Sequence, residues 1–147
     1  MRLPPRYRTR RNFALAALIA ASVPTLYISS FFSWESYWLQ GVLAIVCGLV
    51  VAPLLAWRFW PSGTRSGLAM TKAGLFVVVG TFVLSGFLFG LIQMPFEYNR
   101  WSSGDFEYWI GPLKMALFSV TLGSLVTLGL PYLFGVGISL LFRDADA

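Results

Sequence analysis

The sequence predicts an all-α protein, an integral membrane four-helix bundle with its N-terminus and C-terminus both on the cytoplasmic side. Three observations predict it. The 147 residues are 57% hydrophobic and only 12% charged, with a mean hydropathy of +0.71, whereas soluble domains carry about 25% charged residues. Four long apolar runs, at 13–34, 38–57, 73–94 and 115–142, contain none of the eleven Lys and Arg or six Asp and Glu residues. The basic residues fall mainly on one side of these runs. Each run is long enough to cross a hydrocarbon core ~30 Å thick, which takes about 20 helical residues. The connectors leave room for one domain, 1–147, and no second one.

The first run, 13–34, follows Arg2, Arg6, Arg8, Arg10 and Arg11 and carries Pro24. Thr9-Arg10-Arg11-Asn12-Phe13-Ala14-Leu15 looks like a twin-arginine export signal. The apolar stretch, however, outlasts the ~7–15 residues of a signal core, and it ends at the aromatic Trp34 rather than at a small-residue cleavage site. An uncleaved first helix is expected.

The second run, 38–57, places Ala44, Gly48, Ala52 and Ala56 at four-residue intervals, with Pro53 near its end. Small residues at this spacing let helix backbones approach closely, which drives association where lipid removes the hydrophobic incentive. Cys47 is the only cysteine, so it has no internal disulfide partner and reads as a small apolar packing residue. Arg58, Arg65 and Lys72 mark the following loop, where Ser66 is placed to cap the third helix.

The third run, 73–94, contains Gly86-Phe87-Leu88-Phe89-Gly90, a GxxxG seam. The loop 95–112 follows, the most individual segment of the chain. Its Glu97, Asp105 and Glu107 face a lone Arg100, among aromatics that include Trp101, Phe106 and Trp109. It has two readings: an amphipathic segment lying in the headgroups, or a docking surface, because aromatics and arginine dominate interface hot spots.

The fourth run, 115–142, spaces Ser119, Gly123, Thr127, Pro131, Gly135 and Ser139 at intervals of four. Straight, its 28 residues would extend roughly 42 Å, so the helix must tilt, kink or protrude. Pro24, Pro53 and Pro131 each remove a backbone donor and are expected to kink their helices. The tail 143–147 is expected to be acidic and frayed.

Nine basic residues (Arg2, Arg6, Arg8, Arg10, Arg11, Arg58, Arg65, Lys72 and Arg143) share one side if the runs alternate; Arg100 and Lys114 are on the other. The positive-inside rule makes the first side cytoplasmic, in a bacterial-type inner membrane. The arginines thereby have an explanation other than nucleic acid, and no nucleic-acid partner is expected.

The same charge map excludes chemistry. The sequence has no histidine, which rules out His-ligated metal or haem and any Ser-His or Cys-His pair. No carboxylate or lysine lies within a run to relay protons. No catalytic residue, cofactor or metal is therefore expected. What remains is a non-catalytic interaction protein, an accessory, assembly or immunity-type subunit of a membrane system. It would act through its small-residue faces and the 95–112 loop, with the bilayer and another membrane protein, or a second copy, as partners. The alternative is a small oligomeric channel or carrier, with a path along the Pro131-interrupted fourth helix.

Overall fold

The computed structural model describes residues 4, 7–29, 34–97, 105–126 and 128–144. Within these it describes side chains at 4, 7–22, 42, 45–92, 110–121, 124–125 and 128–144. The described residues form five helices and no strand: α1 (Arg10–Ser29), α2 (Trp34–Arg58), α3 (Gly67–Glu97), α4 (Asp105–Val126) and α5 (Leu130–Leu140). The all-α expectation holds. One described stretch, Gly67–Ile92 in α3, is long and apolar enough to cross a membrane, with a mean hydropathy of 2.5. Shorter apolar helical stretches occupy Ile45–Arg58, Ile110–Thr121 and Leu130–Leu140.

Local chemistry sets the helix starts. The Thr9 hydroxyl accepts the Asn12 amide at 3.2 Å and opens α1, which therefore includes Arg10 and Arg11. The Ser66 hydroxyl accepts the Ala69 amide at 3.2 Å at the start of α3, the cap expected from its position. α3 begins six residues before the apolar run does, because residues 67–72 complete a capped first turn and a half rather than a loop. Pro53 lies inside an uninterrupted α2.

Two expectations about the second half are corrected. The segment 95–112 is not one loop: α3 continues to Glu97 and α4 starts at Asp105, running through Pro112. Pro112 is among the most fully buried residues, and its Cα lies 2.7 Å from where a Cβ on Gly90 would stand. The close approach to α3 makes this proline a packing residue of the helix rather than the end of a loop.

The second correction concerns the fourth run. Pro131 does not kink one helix; the run divides into α4 and α5, with Pro131 in the first turn of α5, where its absent N–H costs nothing. Leu128 (φ 51°) and Gly129 (φ 70°) are left-handed. The Gly129 amide bonds the Ser124 carbonyl at 2.9 Å and the Leu128 amide bonds the Leu125 carbonyl at 3.1 Å. This pair of bonds is a Schellman ending, which satisfies carbonyls that a bare helix end would leave open.

The helices pack as antiparallel neighbours about α3, which contacts α2, α4 and α5, while α1 contacts α2 and α5. α1, α2, α3 and α5 thus close a ring. Its described core gathers Phe13, Ala17, Ala56, Met70, Ala73, Val77 and Phe142 at the end that holds residues 7–9, 142–144 and the 59–66 connection. Phe13 meets Trp60 at 5.5 Å and Phe142 edge-on at 5.4 Å, the tilted geometries that aromatic quadrupoles favour.

Candidate functional site

Three regions carry the features on which a function could rest: the glycine faces of α3, the break between α4 and α5, and the polar end of the ring.

The glycines of α3 face three different neighbours. A Cβ on Gly86 would stand 2.6 Å from the Ser119 Cβ and 2.7 Å from the Met115 carbonyl on α4, and one on Gly90 would meet Pro112. Gly74 lies against Ser139 and the Gly135 carbonyl of α5, and Gly80 against Leu55 of α2. Gly86, Gly90 and Ser119 therefore face inside the chain. Gly48 and Ala52 of α2 are buried as well, and Cys47 is buried at 6% exposure. Ala44 and Gly123 lie in α2 and α4 with side-chain surroundings outside the described residues, as does Thr127 altogether. A search at four-residue spacing passes over Gly74 and Gly80, because each serves a different partner helix. The signal that would find them is the six-residue interval from 74 to 80 to 86.

Of the loop residues, Glu97 ends α3, and Asp105, Phe106, Glu107 and Trp109 belong to the first turns of α4. Their side chains, and Arg100 and Trp101 entirely, lie outside the described residues.

At the break, the register shifts sharply. Gly86 faces Ser119, while Val78 packs on Gly135. Eight residues of α3 are thus matched by sixteen of the fourth run, so the chain leaves α3 and returns. Leu125 and Leu128 on this excursion are 72% and 85% exposed. The Ser124 hydroxyl and the Tyr132 hydroxyl bond each other across it at 2.6 Å, and the Tyr132 ring lies 6.0 Å from Phe82. Among the described residues, most helix hydroxyls are used locally: Thr81, Ser85, Thr121, Ser124 and Ser139 each bond the carbonyl four residues earlier.

The polar end was the region that sequence reasoning underestimated. Asp144, placed in a frayed tail by its composition, is held. Its carboxylate contacts Arg65 Nη2 at 2.6 Å and accepts Arg65 Nε at 3.1 Å and the Arg65 amide at 2.9 Å. The Asp144 amide donates back to the Arg65 carbonyl at 2.9 Å. Arg65 also donates to the Arg8 carbonyl, and Arg8 to the Arg143 carbonyl, each at 2.8 Å. The side-chain and backbone hydrogen bonds from Arg65, with the charges of Arg65 and Arg8 behind them, hold the Asp144 carboxyl below the usual carboxylate range. Arg143 adds a third guanidinium, with a buried Nε unbonded among the described residues. The sequence signal was there: Asp144 is an acid in a segment that the sequence assigns to the same side as nine basic residues. Its partner, 79 residues away, was not legible.

Among the described residues no group of three His, Cys, Asp or Glu side chains could hold a metal. No family model, curated protein or solved structure matches this chain.

Proposed function

We propose that the chain is an integral membrane protein of the non-catalytic interaction type, an accessory, assembly or immunity-type subunit that spans the bilayer several times with both termini cytoplasmic. The observation that carries the membrane part is α3. Its apolar stretch Gly67–Ile92 is 26 residues long, yet only 22% of its most apolar window is buried by the rest of the chain. A core helix of a soluble protein buries most of itself; this one presents Leu75, Phe76, Val83, Leu84, Leu88 and Ile92 outward. α1, α2 and α4 likewise expose Ile19, Leu54 and Leu117 at more than 60%. Exposed apolar area on this scale needs lipid or protein over it.

The interaction part rests on the residues that are left. The glycine faces of α3 are used within the chain, so a partner would meet the large apolar outer faces and the segment joining α3 to α4, with Glu97, Arg100, Trp101, Asp105, Phe106, Glu107 and Trp109. The experiment has two steps. Alkaline carbonate should leave the full chain in the membrane fraction, and release into the supernatant would end the membrane reading. Gentle solubilisation should then yield a stoichiometric complex that dissociates when Trp101, Phe106 and Trp109 become alanine. A chain that runs alone, unaffected by these changes, contradicts the interaction reading.

One observation favours a channel or carrier as a second reading: the complete break of the fourth run at Leu128–Gly129, since discontinuous helices line transport paths in other membrane folds. That reading requires solute flux in proteoliposomes of the purified chain alone, reduced by Gly123→Leu or Thr127→Val.

A further inference from the structure

The fold brings two dipeptides 47 residues apart together at the polar end. Arg10 Nε donates to the Trp57 carbonyl at 2.7 Å, and its guanidinium lies 4.4 Å from the centre of the Trp57 ring. Arg11 and Arg58 are the next residues along each strand of chain, and both are exposed. Neither has a hydrogen bond or ion pair among the described residues. Trp57 itself is 47% exposed, with Phe59 at 38% two residues on.

Among the described residues this cluster has no counter-charge. Asp144, the only carboxylate whose surroundings are described, is committed to Arg65 and Arg8. Arg10 and Arg11 do not serve their own helix either: α1 has no acid in its first turn, and cations there oppose the helix dipole, whereas Arg58 in the last turn of α2 favours its own. One guanidinium stacked on an exposed indole, with two exposed arginines adjacent to the pair in sequence, combines charge for a phosphate with an amphipathic ring suited to the headgroup layer.

We propose that Arg10, Arg11 and Arg58, around Trp57, form a binding site for the phosphate of an anionic phospholipid headgroup at the cytoplasmic surface. The inference rests on the membrane reading above. Arg10 is held in place by Trp57, and Arg11 and Arg58 supply the free donors. A basic residue near an anionic surface contributes about fivefold in binding, so two free arginines give a preference of roughly twentyfold or more over a zwitterionic headgroup.

The test is native mass spectrometry of the full chain in mild detergent, titrated with phosphatidylglycerol or phosphatidylcholine, with inorganic phosphate as competitor. The first phosphatidylglycerol should bind at least tenfold more tightly than phosphatidylcholine. The double variant Arg11→Gln/Arg58→Gln should remove that preference, and Arg11→Lys/Arg58→Lys should keep most of it. Because both side chains are exposed and unpaired, the variants should fold like the parent, and an unchanged thermal midpoint checks this. Equal affinity for the two lipids, or a preference that survives the Gln variant, overturns the site. Displacement by inorganic phosphate at the lipid's own concentration overturns the lipid as its ligand. A chain that carbonate releases from membranes fails the membrane reading instead, which separates the two failures.

Discussion

Arg65 and Asp144 bind each other through side chain and backbone at once: two guanidinium nitrogens and the Arg65 amide reach the Asp144 carboxylate, and the Asp144 amide donates to the Arg65 carbonyl, both amide bonds at 2.9 Å. The loop after α2 and the segment after α5 are thereby clamped, and Arg8 joins the segment before α1 to the same carboxylate at 3.9 Å. The two main-chain amides bonded in it distinguish this contact from an ordinary surface ion pair, which holds two mobile side chains and contributes little.

The clamp predicts a pH dependence with a definite sign. Asp144 has its folded pKa depressed, so its contribution is present above the ordinary carboxylate value of about 3.9 and is lost as pH falls through the lower folded value. Asp144→Asn should lower the thermal midpoint at pH 7. The gap between variant and parent should close on acidification below about pH 4. A gap that stays constant down to pH 2 would contradict the assignment.

The glycine faces predict a contrast within one residue type. Gly86→Val must push α4 away, because Ser119 and Met115 already occupy the space of a side chain. Overpacking of this kind costs about 1–3 kcal/mol. Gly63→Ala, with nothing within 4 Å, should be close to neutral. Unfolding of both variants in micelles by denaturant gives the comparison.

Leu128 predicts an unusual gain. A left-handed leucine costs roughly 1–2 kcal/mol relative to the right-handed conformation, and the side chain is 85% exposed, so it returns little by burial. Leu128→Gly should hold or raise the thermal midpoint, the relief being partly offset by the greater freedom of glycine in the unfolded chain. Leu128→Val, β-branched, should lower it.

Cys47 supplies a probe of the α2 packing. At 6% exposure it should resist a membrane-permeant maleimide in the folded protein and react fully once denatured. Rapid labelling of the native chain would show that α2 turns a different face to its neighbours.

The break at Leu128–Gly129 was half legible. Gly129 followed by Pro131 is the pattern of a helix ending, glycine just past the end and proline shortly after. Apolar continuity across 115–142 nevertheless reads as a single span with a kink, because hydropathy registers each side chain's transfer from water and carries no information on backbone direction. The extension of α4 back to Asp105 was hidden in a similar way. Pro112 and the charges around it look like a connector until the groove beside Gly90 accepts the proline.

What the sequence determined by itself was local: helical class, the apolar runs and the Ser66 cap. Each follows from a residue's own solvation or from neighbours within one helical turn. The tertiary structure alone decided which helix each α3 glycine meets, that the fourth run leaves α3 and returns, and that Arg65 binds Asp144 while Arg10 stacks on Trp57. Those pairings join residues 47 and 79 positions apart. Eleven basic residues against six acidic ones leave many combinations open until packing brings particular atoms within hydrogen-bond reach.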